Sequence, residues 1–178
     1  MAVVEIEKGI KLRPGMGIMS TGDGYTLLIP SLELDEISEL RGEFIRLTDY
    51  NNEYECAEQL TEFLYKRLQY DDSEEPINKI SLKESIRLEK GVCKEMAAVY
   101  QILAQGLNLD TRYVRGTYKG SKHAWIKLKI GGQILYADPT NEKFLPYKKA
   151  VKKFNLVEGV NKVMVPGKNK QQFIDQIT

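Results

Sequence analysis

Apolar residues recur with different periods along this chain, and each period predicts an element. Residues 3 to 29 are rich in strand formers, with Tyr25-Thr-Leu-Leu-Ile29 ending at Pro30 and Gly22-Asp-Gly24 supplying a turn, so 15 to 29 is expected to be a hairpin. A weaker strand is expected at 43 to 48, EFIRLT. From 53 to 69 the period becomes helical. Ala57, Leu60, Leu64 and Leu68 make one apolar stripe, Phe63 widens it, Asn51 or Asn52 can cap it, and Glu53 and Glu55 fall in the first turn. The run DDSEEP at 71 to 76 reads as a polar connector, and Ser81 with Glu84 forms a capping-box pattern that predicts a short helix over 81 to 89.

A second long helix is expected from Val92 or Cys93 to Gln105, with Met96, Ala97, Tyr100 and Leu103 on its apolar face and Gly106 as its stop. Three strands follow, at 111 to 115, 124 to 128 and 133 to 136, the last two joined by a tight Gly131-Gly132 turn. Val163-Met-Val165 predicts a short strand and 170 to 177 a terminal helix. A helix followed by an antiparallel sheet points to an α+β fold rather than a doubly wound one.

Composition narrows the picture. The 178 residues suit one domain spanning 1–178, with a β/α elaboration over 1–80, a chemistry-bearing core over 91–140 and a lysine-rich C-terminal extension over 144–178. With 26 basic and 25 acidic residues the formal charge is +1, so no whole-molecule field favours nucleic acid or a membrane. The extension carries seven lysines (148, 149, 152, 153, 162, 168 and 170) against Glu158 and Asp175. They are expected to form a solvated face, and nucleic acid is not an expected partner. MAVVEIEKGIKL lacks the apolar run of a signal peptide, and no stretch reaches the ~20 apolar residues of a membrane span. Cys56 and Cys93 are expected to be free thiols, and a cytoplasmic location follows. One histidine and two distant cysteines do not make a zinc site, and no phosphate- or dinucleotide-binding glycine pattern is present, so neither metal nor cofactor is expected.

The candidate chemistry lies in three residues. Cys93 stands at a predicted helix start, where first-turn N–H groups and the dipole favour a thiolate, and Gly91 keeps bulk away from the sulfur. His123, the only histidine, opens the strand HAWIKL, and Asp138 closes the neighbouring strand ILYADP. If those strands pair around Gly131-Gly132, their outer ends meet and His123 lies almost opposite Asp138. The carboxylate can then fix the tautomer and orientation of the ring. Trp125 shares a sheet face with His123 and is expected either to wall the site, touching substrate, or to fill core. Asn141 receives no role.

The stretch GVCKEMAAVYQILAQGLNLDTRYVRG, followed by HAWIKL and ADPT, resembles the transglutaminase-like superfamily. That resemblance implies a papain-like core in which the nucleophile helix packs on an antiparallel sheet. It also implies Cys93 as nucleophile, His123 as base and later acid, and Asp138 as its orienting partner. The activity it implies is a cysteine-dependent hydrolase cleaving a peptide, isopeptide or side-chain amide bond of a protein or peptide substrate. The alternatives are glutamine γ-glutamyl transfer and a non-catalytic scaffold. The Cys93 backbone N–H is the expected first oxyanion donor. For a side-chain donor, Asn78 and Tyr70 are speculative candidates.

Overall fold

The structure, a computed structural model, describes residues 2–13, 16–20, 25–30, 35–70, 86, 89–165 and 167–178. The expected Gly22-Asp-Gly24 turn and the short helix from Ser81 lie outside these, as does Asn78. In chain order the elements are β1 (Ala2–Ile6), β2 (Met16–Ser20), β3 (Thr26–Pro30), α1 (Asp35–Leu47), α2 (Glu53–Arg67), β4 (Gln69–Tyr70), β5 (Lys90–Gly91) and α3 (Cys93–Gly106). Then come β6 (Asp110–Tyr118), β7 (Ser121–Ile130), β8 (Gln133–Asp138), β9 (Lys143–Pro146), α4 (Tyr147–Phe154), β10 (Val157–Glu158), β11 (Asn161–Val165) and α5 (Lys170–Ile177).

Two main sheets result. One has the order β1-β11-β3-β2, with β11 parallel to β3, and the other the order β10-β6-β7-β8-β9 with every pairing antiparallel. Helix α3 packs on β6 and β7 of the second sheet and meets β2, α1 and α2 on its other sides. Every residue from Glu95 to Ala104 is buried, as expected of a helix that is apolar nearly all round. Each of its fully buried aliphatic side chains contributes roughly 1.5–3 kcal/mol relative to exposure. This is an α+β arrangement in which a buried helix packs on an antiparallel sheet.

Segment 43 to 48 is not a strand. Ile37, Leu40 and Phe44 recur at helical spacing and are buried, so α1 runs through it to Leu47. Helix α2 is capped by Asn52, whose side-chain oxygen accepts the Glu55 N–H at 2.8 Å. Gly106 is the last residue of α3 rather than the residue after it, and the left-handed position is Asn108, φ 61°.

The hairpin that carries His123 and Asp138 turns on Gly131 and Gly132, whose φ values of 57° and 82° suit a two-residue turn with the twist of a hairpin. Its register runs from Ile130 opposite Gln133 to Ile126 opposite Ala137. Continuing that register puts Trp125, not His123, across from Asp138, so the two site residues stand diagonally, one pleat apart on the same face. On that face Val114, Trp125 and Tyr136 pack with Tyr147, Ala150 and Phe154 of α4 and with Leu156 in a second buried cluster. Among the described residues, no helix is long and apolar enough to cross a membrane.

Candidate active site

Cys93 is the first residue of α3, where backbone N–H groups have no partner within the helix. The helix enters through Val92, whose N–H donates to the Glu95 carboxylate at 3.3 Å. Burial holds that carboxyl above its ordinary range, against the pull of its hydrogen bonds and of Lys94 and Arg115. The strand before the helix is fixed as well, because Gln69 and Tyr70 of β4 pair in parallel with Lys90 and Gly91 of β5. Cys93 is partly exposed and free, and it lines the same cleft as His123, close enough to act on the imidazole electrostatically.

His123 Nε2 contacts Asp138 Oδ2 at 2.7 Å, across the diagonal of the hairpin. The imidazole is only 8% exposed and the carboxylate 0%. Burial alone would lower the imidazole pKa, but hydrogen bonds and charge from Asp138 and Cys93 overcome it and raise the value to about 9. Nε2 then carries its proton and donates it to Asp138, which leaves Nδ1 for the sulfur.

Asp138 is held on every side. Its Oδ2 also accepts from the Tyr136 hydroxyl at 2.6 Å and from Asn141 Nδ2 at 2.9 Å, while Oδ1 accepts the backbone N–H groups of Thr140 at 3.0 Å and Asn141 at 3.3 Å. Burial would raise its pKa, but the hydrogen bonds and charge of His123, with those from Tyr136 and Asn141, lower it below the ordinary carboxylate value. Tyr136 and Asn141 are the residues a sequence reading misses. Tyr136 reads as one more strand aromatic and Asn141 as a turn residue. The available signal is the two-residue spacing of Tyr136 from Asp138, which puts them on one face.

Cys93 and His123 open onto a cleft of about 660 Å³. One wall is the α2–β4 corner with Tyr65, Lys66, Gln69 and Tyr70, and the other is the β6–β7 turn with Tyr118, Ser121 and Lys122. Tyr118 lies against the imidazole, ring centres 5.1 Å apart, and stacks on Phe154 at 4.9 Å. Trp125 does not line the cleft and is not a substrate-contacting wall. It is 0% exposed, lies behind the imidazole with ring centres 6.2 Å apart, and donates its indole N–H to the Tyr147 hydroxyl at 3.1 Å. Its partners are core residues because α4 covers that face. Tyr70 and Gln69 both stand at the cleft. Among the described residues, no group of three or more His, Cys, Asp or Glu could hold a metal ion.

The sequence profile of the transglutaminase-like superfamily matches residues 45–139, from the end of α1 to the residue after Asp138. Among solved structures the chain is similar to an inferred cysteine protease from Cytophaga hutchinsonii, with a TM-score of 0.51 and 22% identity over 70% of this chain and 40% of that one. It is also similar to a TGase, with a TM-score of 0.51 and 14% identity over 80% of this chain and 45% of that one. Legionella pneumophila LapG aligns at a TM-score of 0.48 and 12% identity, over 79% of this chain and 94% of that one. The chain spans less than half the length of the first two relatives. No curated protein matches it.

Proposed function

The chain belongs to the transglutaminase-like superfamily, whose profile covers more than half of it, and from that premise we propose that it is a cysteine-dependent hydrolase acting on an amide bond of a protein or peptide. The observation that carries this reading is that Cys93 and His123 line one cleft while Asp138, buried behind them, holds the imidazole at 2.7 Å. Cys93 is the nucleophile, His123 the acid and base, and Asp138 the group that orients the ring.

His123 Nδ1 takes the thiol proton of Cys93 as general base, which activates the sulfur for attack. The thiolate attacks the amide carbonyl, the C–N bond breaks, and the Nδ1 proton of His123 goes to the leaving amine. A thioester remains on Cys93. Water, giving its proton to His123, then attacks the thioester and releases the acid. The Cys93 backbone N–H is one oxyanion donor in this scheme. The second is a side chain on β4, where the Gln69 amide has a stronger claim than Tyr70 because two N–H donors suit an oxyanion. Capture of the thioester by an acceptor amine in place of water, that is γ-glutamyl transfer, is the second reading. The partial exposure of the thiol and its place beside His123 in one cleft count against a purely structural scaffold. Two free thiols fit a reducing compartment such as the cytoplasm.

Iodoacetamide labelling across pH tests the chemistry. Cys56 is buried, so the signal should come from Cys93 and vanish in Cys93→Ser. Labelling near neutral pH should be fast and should fall about tenfold or more in His123→Ala. Labelling that follows an ordinary thiol with a pKa of about 8.5 would sink the reading. A peptide library with and without added amine then separates hydrolysis from transfer.

A further inference from the structure

Helix α4 buries Tyr147, Ala150 and Phe154 and turns Lys148, Lys149, Lys152 and Lys153 to solvent. No acidic residue occurs in the helix. Among the described residues, none of these four lysines is paired with a carboxylate, and Lys153 Nζ lies 5.7 Å from the Phe154 ring. The nearby Glu158 is taken by Lys127, at 3.1 Å.

This cationic face is joined to the cleft by built contacts. The backbone N–H of Lys119, in the β6–β7 turn, donates to the Phe154 carbonyl at the end of α4 at 2.7 Å. Tyr118 stacks on Phe154, and Lys119 Nζ sits 5.6 Å from the Tyr118 ring and 5.9 Å from that of Phe154. Beyond the turn, Ser121 and Lys122 line the cleft itself. A band of positive charge therefore runs from the outer face of α4, over Lys119, to Lys122 beside His123.

We propose that α4 and the β6–β7 turn form an exosite for an acidic, extended stretch of the polypeptide substrate, which the band leads to Cys93. The inference rests on the hydrolase reading and names its substrate class. Lys148 and Lys152, and likewise Lys149 and Lys153, are four residues apart on a helix, a rise of about 6 Å. Alternate side chains of an extended peptide repeat at roughly 6.6 Å. A segment with acidic residues at every second position thus meets one lysine row with little distortion. A polypeptide fits better than nucleic acid. The face has no arginine for bidentate phosphate contacts, Val151 is the one exposed apolar residue of the helix, and no exposed aromatic stands between the lysines.

The test uses the full chain carrying Cys93→Ala, so that nothing is turned over. Fluorescence anisotropy follows a labelled peptide of alternating glutamate and alanine, the same peptide with lysine for glutamate, and an oligothymidylate. The acidic peptide should bind at low salt and the basic one should not. Replacing Lys148, Lys149, Lys152 and Lys153 together by Gln should weaken binding about tenfold or more, since exposed charge pairs each contribute little and only their sum is large. Neutralising Lys129, Lys162, Lys168 and Lys170 instead removes the same net charge and should leave binding within about twofold, since none of them belongs to α4 or the β6–β7 turn. Equal loss in the two variants, oligothymidylate binding as tight as the acidic peptide, or no binding of the acidic peptide would each overturn the proposal. Circular dichroism checks that both variants fold. Iodoacetamide labelling of the same lysine variants with Cys93 restored should stay fast. Slow labelling in otherwise wild-type protein would sink the hydrolase reading, whatever the peptide titrations show.

Discussion

Asp138 is the most constrained side chain of the site. Five hydrogen bonds converge on a carboxylate with no exposed surface, and three of them compete for Oδ2. An amide at this position would turn the relation with His123 round. Its N–H₂ would donate to Nε2, the ring proton would move to Nδ1, and Nδ1 could no longer accept from the thiol. Asp138→Asn is therefore expected to slow Cys93 alkylation at neutral pH to that of an ordinary thiol, and to lower turnover of any substrate found by about 10²–10⁴-fold. Tyr136→Phe removes one donor to a charged acceptor and should cost less, about 1.5–3 kcal/mol of stability by urea melting.

The same pair sets a pH dependence of stability. His123 is raised to about 9 in the folded protein, from an ordinary 6.5. Between those values the folded state holds a proton that the unfolded chain releases, so stability is full below the lower value and falls as pH rises through the upper one. The loss is on the order of 3 kcal/mol. Asp138, lowered below the ordinary carboxylate value, contributes above that value and is lost as pH falls through its folded pKa. Urea midpoints should form a plateau between the acid and alkaline limbs. The alkaline limb should flatten in Asp138→Asn, and an unchanged limb there would show that another group causes it.

At the scale of elements, the register of β6, β7 and β8 decides where His123 stands. Gly116 is opposite His123 in β6 and opposite Glu158 in β10. A Cβ there would collide with the Val157 carbonyl and lie 2.8 Å from the Trp125 ring. Since both obstacles are packed, Gly116→Ala should cost about 1–3 kcal/mol, loosen β10 and change Trp125 fluorescence. Gly42, exposed in α1 with nothing near its missing Cβ, gives the opposite result. Gly42→Ala should raise stability by about 1 kcal/mol, read from the shift in urea midpoint. The elements around the site were legible from sequence because each has a clean period. Ala57, Leu60 and Leu64 mark α2, Met96, Tyr100 and Leu103 mark α3, and two glycines mark the hairpin turn. Phe44 misled because a six-residue window starting at Glu43 excludes Ile37 and Leu40, which complete its helical stripe. Helix α4 went unread because Tyr147, Ala150 and Phe154 are only three apolar anchors among four lysines. Asn141 could not be read at all, since its partner Asp138 is fixed by a turn geometry that carries no periodic signal.

The whole molecule is held together across α3, with the site on one side and the β1-β11-β3-β2 sheet on another. That sheet joins distant parts of the chain. β11 lies between β1 and β3, its Val163 and Val165 are fully buried, and the Lys11 N–H donates to the Ile177 carbonyl at 2.8 Å. Removing everything after Gly159 would leave β1 unpaired and β2–β3 as a two-stranded ribbon. It would also remove the buried side chains Val163, Val165 and Ile177, each contributing roughly 1.5–3 kcal/mol. That sum is comparable with the ~5–15 kcal/mol by which a whole domain is stable. The truncated chain should lose cooperative unfolding and bind a hydrophobic dye, although Cys93, His123 and Asp138 are all present. A milder lesion separates stability from chemistry. Val163→Ala should lower stability by about 1–3 kcal/mol in urea, through a small cavity on the far side of α3. Below the transition it should leave the rate and pH dependence of Cys93 labelling as in the wild type. A labelling rate that fell in step with stability would mean that the first sheet shapes the cleft through α3 as well as supporting it.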